Sequence, residues 1–256
     1  MPTEGQGGGF SELVVGEACL IQKLLLPREP LRTPCAVMSY LMRSHGDVSG
    51  DFLDYFCLAD GRLGLYLGDV VGKGLPAAMY AALAMGTLRS IHKTGEMPAS
   101  VLELFNKRLM VRPVPSRYTA VQYAVFDPAT LQLHLANAGL PFPIHLSANG
   151  CEPMACSGLP SGLFESAQYD QATFQLGPRD AVLFATDGLC EATDGHGRQL
   201  DTSQLVRICG MLDYSTPDLL LQNVFESVEH FSKGTQNDDM TAVALKVLTR
   251  DKKEDS

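Results

Sequence analysis

Apolar residues along this chain recur with two periods. Between Phe10 and Leu26 they fall at Phe10, Leu13, Val14, Ile21, Leu24 and Leu25, roughly one side of a helix, and Pro27 and Pro30 end the pattern. Helical spacing returns at 75–92, 98–110 and 216–232. Shorter runs at 36–42, 52–58, 63–69, 118–126, 131–138, 181–186 and 240–248 read as strands, several of them alternating apolar and polar residues as "LQLHLAN" does. The "DPAT" at 127–130 separates two such runs as a tight turn, which favours antiparallel hairpins over a regular βαβ alternation. The glycine-rich start and the polar "TRDKKEDS" close are expected to be disordered. The expected organisation is therefore a flexible segment over 1–9, a linker helix over 10–30, one domain over 31–248 and a tail over 249–256.

Composition narrows the partners. With 256 residues and 45% hydrophobic content there is ample material for one core, and 29 acidic against 20 basic residues give a net charge of -9. That balance disfavours nucleic acid and anionic membrane surfaces and suits a protein or small-molecule partner. No apolar run approaches a membrane span and the first residues lack a secretory pattern, so a cytoplasmic location is expected. Seven scattered cysteines without a C-x-x-C pair read as free thiols, and six dispersed histidines offer no zinc spacing.

The stretch "GDVVGKGLPAAM" (68–79) imitates two phosphate-binding loops. A P-loop needs one more residue and a Ser or Thr where Gly74 stands, and a dinucleotide fold needs a second strand ending in an acid about twenty positions on. Neither context is present. The small residues Ala77, Ala78, Ala81, Ala82, Ala84 and Gly86 instead make a slender helix able to pack close to a sheet.

Aspartates stand where strands end: Asp51 in "SGD", Asp69 in "GDVV", Asp187 in "ATDG", and Asp238 with Asp239 in "NDDMT". Each alone reads equally well as a turn cap. Gathered at one rim they would repel one another unless a cation neutralised them, and oxygen ligands without His or Cys select Mg²⁺ or Mn²⁺.

In order along the chain, "IQKLLLP", "VSGDFLDYF", "GDVVGKGLPAAM", "LHLANAGLPFPIHL", "SGLPSGL", "LFATDGLCEATD" and "NDDMTAVAL" resemble the metal-dependent serine/threonine protein phosphatases of the PPM family, SpoIIE/RsbU type. The resemblance implies an α+β fold, a two-sheet antiparallel β-sandwich flanked by α-helices. It implies two Mn²⁺ or Mg²⁺ ions, with Asp69 bridging them, the Val70 carbonyl and Asp51 on the first, and Asp187 and Asp238 on the second; Asp239 is the fallback for Asp238. It also implies catalysis through a metal-activated water, with Asp69 and Asp187 at its centre, on a phosphorylated protein such as a STAS-domain anti-sigma-factor antagonist. The helix from Phe10 would be the point where regulation enters, by packing on the slender helix or by pairing into a homodimer.

Some positions depart from the family pattern. Gly46 stands where eukaryotic relatives carry a phosphate-binding Arg, leaving Arg43 nearby but out of register. Leu140 replaces a customary His, and Ser161 replaces a Leu, a change expected to be neutral. Two rival classes are a pseudophosphatase acting as a binding module, disfavoured because all four aspartate positions are filled, and a nucleotide-binding oxidoreductase resting on "GKGLPA" alone.

Overall fold

The computed structural model describes residues 7–249, so residues 1–6 and 250–256 of the two expected disordered ends lie outside the described residues. Helix α1 runs Gly7–Leu25, beginning inside the stretch expected to be flexible and ending just before Pro27. Seven of the following strands are those the apolar runs predict, within a residue or two at each end. They are β2 (Ala36–Arg43), β3 (Phe52–Cys57), β4 (Leu63–Val70), β5 (Thr119–Asp127), β6 (Gln132–Ala138), β10 (Ala181–Ala185) and β11 (Met240–Val247). Four short strands complete the sheets: β1 (Leu31–Arg32), β7 (Ile144–Ser147), β8 (Gly150–Pro153) and β9 (Ala172–Gln175).

One sheet has the order β1-β2-β11-β10-β7-β8 and the other β3-β4-β5-β6-β9, with every pairing antiparallel. Their inner faces meet in a single core that includes Met38, Leu53, Leu65, Leu67, Val121, Val182, Phe184 and Val243. Helices α2 (Gly74–Arg89) and α3 (Pro98–Leu109) cover the second sheet. On the outer face of the first sheet lie α5 (Thr202–Cys209) and α6 (Pro217–Ser232), which enclose a second cluster with Leu220, Val224 and Phe225. A four-residue turn of helix, α4 (Asp187–Cys190), links β10 to this layer. The architecture is the two-sheet sandwich with helices on both outer faces that the sequence predicts. Among the described residues no helix is long and apolar enough to cross a membrane.

Two cross-strand pairs explain how β3 and β4 close up. Phe52 stands opposite Gly68 and Phe56 opposite Gly64, and a Cβ on either glycine would fall 2.2 or 2.3 Å from the facing ring. Glycine here makes room for a phenyl group. Gly68, although next to Asp69, therefore serves the core.

The slender α2 buries Ala77, Ala81 and Ala84, which lets it lie close to the sheet. Its last residue, Arg89, donates from Nε to Asp54 Oδ2 at 2.8 Å and from Nη2 to the Leu25 carbonyl at 2.5 Å, tying the end of α2 to β3 and to the end of α1. Helix α1 packs on α2 through Ala18, Gln22 and Leu25. Leu20, Ile21 and Leu24 remain more than half exposed, at 58%, 59% and 55%.

Two departures from the family pattern find partners. Leu140 is buried, and its N–H and C=O both bond to the Asn137 side chain at 3.0 and 2.8 Å. Ser161 is fully buried, pairs with the Thr119 backbone in both directions, and meets Tyr169 Oη at 2.9 Å, so its hydroxyl is part of the packing rather than neutral.

Gly68→Ala is expected to destabilise the fold by about 1–3 kcal/mol, because the added methyl must displace the buried ring of Phe52. Denaturant unfolding checks this, with an unchanged midpoint counting against the steric account.

Candidate metal centre

Four chain segments end at one rim of the sandwich. β4 delivers Asp69 and Val70 as its last two residues, and the loop ahead of β3 delivers Asp51. β10 runs on into Asp187, the first residue of α4, and the turn before β11 carries Asp238 and Asp239. Asp69 comes within electrostatic or hydrogen-bonding reach of Asp51, Asp187, Asp238 and Asp239, so the fold gathers all the aspartates singled out in the sequence.

Their surroundings differ. Asp51 is 1% exposed, and its Oδ2 accepts from Thr241 Oγ1 at 2.5 Å and from Thr186 Oγ1 at 3.0 Å. Burial, with the charges of Asp69 and Asp239 behind it, pushes its carboxyl well above the usual range against the pull of these hydroxyls. Burial and the charges of Asp187, Asp238 and Asp239 push Asp69 up to about 7. Asp187 is raised by burial and by Glu191 and Asp238. Asp239 has both oxygens engaged by backbone, Oδ1 by the His45 N–H at 2.7 Å and Oδ2 by the Gly50 N–H at 2.9 Å. It stitches the loop before β3 to the turn before β11. Asp238 faces Lys73, whose Nζ lies 2.9 Å from Oδ2 and donates to the Asn237 carbonyl at 2.6 Å.

Two glycines make these approaches possible. A Cβ on Gly50 would lie 3.0 Å from the Val70 carbonyl oxygen and 3.3 Å from Asp69 Oδ1, and one on Gly188 only 1.9 Å from the Asp239 carbonyl oxygen. Helix α1 also reaches the rim. Gln22 donates to the Ser49 carbonyl at 2.7 Å and accepts from the Ser49 N–H at 2.9 Å, and Ser49 Oγ accepts from the Asp51 N–H at 3.0 Å. The sequence suggests contact of this helix with the slender helix; the direct bond to the Asp51 loop is additional. Arg43 pairs with Glu229 at 2.9 Å and lies over the ring of Phe225, on the α6 side of the first sheet.

Among the described residues, no three His, Cys, Asp or Glu side chains are arranged to hold an ion as they stand. The donor chemistry nonetheless fits a hard divalent cation. The rim offers carboxylate and carbonyl oxygens that raise one another's proton affinity, and one protein cation, the Lys73 ammonium, already stands against Asp238. Hydrogen-bond donors compensate Asp51 and Asp239, and this ammonium compensates Asp238.

Comparison with known proteins gives the chain's family and fold. Residues 59–248, well over half of the chain, match the family described as Stage II sporulation protein E (SpoIIE). The chain belongs to the SpoIIE family. It is 24% identical over 205 residues to phosphoserine phosphatase RsbU of Bacillus subtilis (strain 168), an alignment covering 78% of this chain and 59% of RsbU. The chain thus spans well under two thirds of that relative's length. Among solved structures, the SiaA-PP2C domain of Pseudomonas aeruginosa superposes with a TM-score of 0.80 at 18% identity, covering 94% of this chain and 98% of that domain. RsbX, solved in complex with magnesium, superposes with a TM-score of 0.63 at 15% identity, covering 86% and 98%. The fold of this SpoIIE-family chain is that of PP2C-type phosphatase domains, as its motif order led one to expect.

The carboxyl of Asp69, held near 7 in the fold against an ordinary value of 3.8, keeps a proton that the unfolded chain releases. The folded state therefore binds more protons between these values, and stability falls as pH rises through the interval. In EDTA the urea midpoint is expected to drop between pH of about 4 and about 7, and Asp69→Asn should flatten that slope. An equally steep slope in the variant would remove Asp69 as its source.

Proposed function

We propose that this chain is a metal-dependent phosphatase acting on phosphoserine and phosphothreonine in proteins. The observation that carries the reading is the convergence of Asp51, Asp69, Asp187 and Asp238 from four distant segments at one partly buried rim. Family membership and the phosphoserine phosphatase RsbU support it. The magnesium bound by RsbX, a protein of the same fold, supports the choice of ion.

Two Mn²⁺ or Mg²⁺ ions would be held here, Asp69 bridging them, the Val70 carbonyl and Asp51 (directly or through water) serving the first, Asp187 and Asp238 the second. Such ions, when bound, lower the pKa of water and offset charge on phosphoryl oxygens. The chain's own residues prepare the place. Thr186 and Thr241 fix the rotamer of Asp51, Asp239 holds the His45–Gly50 loop against the rim, and Gly50 and Gly188 let the backbones come close enough for Val70 and Asp187 to face one centre. Asp239 already accepts a backbone N–H on each oxygen and bridges two loops, which favours Asp238, held by an exposed ammonium, as the ligand of the pair. The substrate that suits the family and the chain's net charge of -9 is a phosphorylated protein, a STAS-domain anti-sigma-factor antagonist in the cytoplasm. The exposed Leu20, Ile21 and Leu24 of α1 are the surface through which two copies would pair.

Phosphate release from a phosphoserine peptide is expected to require added Mn²⁺ or Mg²⁺ and to stop in EDTA. Asp69→Asn or Asp187→Asn should lower kcat/KM by about a thousandfold or more, several kcal/mol of transition-state stabilisation, with circular dichroism unchanged. Full turnover in chelator would sink this reading. Tight capture of the phosphopeptide without phosphate release would instead support the binding-module alternative.

A further inference from the structure

Lys73 sits in the turn between β4 and α2, flanked by Gly72 at φ +101° and Gly74 at φ +70°. As the N-cap of α2 it makes no side-chain cap, and an ammonium is disfavoured at a helix N-terminus, where the backbone dipoles already present positive charge. Its position is explained by what it reaches: Asp238 Oδ2 at 2.9 Å and the Asn237 carbonyl at 2.6 Å, across 164 residues of chain. The pair is open to solvent, with 56% of the Lys73 and 42% of the Asp238 side chain exposed. Ion pairs this exposed are weak and therefore displaceable.

Resting on the metal-centre reading above, we propose that Lys73 is a resident counter-ion of Asp238 that has to leave before a divalent cation can use this carboxylate. Asp238 Oδ1 accepts the Asp239 N–H at 2.9 Å, so the oxygen open to an incoming cation is the Oδ2 that Lys73 holds, and two cations compete for it. The ammonium neutralises Asp238, orients it toward the β4–α2 turn, and sets the affinity of the site by competition. Lys73 is thus a positioning residue, acting through Asp238 rather than on the reacting phosphate.

Calorimetric titration of Mn²⁺ into the full chain tests this without recourse to activity. Lys73→Gln should bind Mn²⁺ about two- to fivefold more tightly than wild type, and Lys73→Arg should restore the wild-type value. The difference should shrink as salt rises, since the pair is exposed. In an Asp238→Asn background the Lys73→Gln effect should vanish, as a contact-mediated effect must in a double-mutant cycle. A folded Lys73→Gln variant with unchanged or weaker Mn²⁺ affinity overturns the inference, as does an effect that persists in Asp238→Asn. Wild-type protein that takes up no Mn²⁺ overturns the metal centre itself, and this inference with it.

Discussion

Asp51 and Asp69 are neighbours at the edge of a dry sandwich, where burial raises both carboxyls and the charge of Asp69 makes Asp51 harder still to ionise. Bringing further carboxylates to the same rim multiplies that repulsion, and in a poorly hydrated site it is not screened away. Every local feature of the rim answers it in some way. Threonine hydroxyls bond Asp51, backbone N–H groups saturate Asp239, an ammonium meets Asp238, and Asp69 is left with the least direct compensation and a strongly raised pKa. Such strain is tolerable only where the surrounding fold over-determines it, and here two sheets and the loops between them do so.

The sandwich contributes by closeness. Phenyl rings over Gly64 and Gly68 seat β3 against β4, and the missing side chains at Gly50 and Gly188 let separate loops touch at backbone distance. The ends of β4, β10 and β11 thereby meet the loop before β3 in a space that side chains at those glycines would fill. The site is in this sense made of backbone as much as of carboxylates.

The long strands were legible because each is an apolar run bounded by turn residues, and the aspartates because they sit in quotable motifs at the ends of those runs. The short strands β7, β8 and β9 were not, since four residues such as Ala172–Gln175 carry too little periodicity and owe their state to a neighbour in the sheet. Helix α5 escaped notice for the same reason of length, although Asp201 caps it by accepting from the Gln204 N–H. At the site, Thr186 and Thr241 looked like ordinary residues of apolar strands. Their one signal was a hydroxyl beside an aspartate motif in otherwise apolar surroundings. Lys73 was noticed only as part of an imitation phosphate loop, and its partner lies too far along the chain for sequence to suggest. Gln22 belongs with it, a polar residue on a helix face whose receptor is a backbone group.

The arrangement of α2 has a mechanical consequence. Arg89 anchors one end to Asp54 and to the Leu25 carbonyl, whereas the other end begins at two left-handed glycines with no side-chain cap. The 16-residue helix is a lever about 24 Å long with its fulcrum at Arg89. A tilt of about 5° there carries the far end through about 2 Å. A small rotation at Arg89 would thus arrive enlarged at the turn that bears Lys73 and continues back into Asp69.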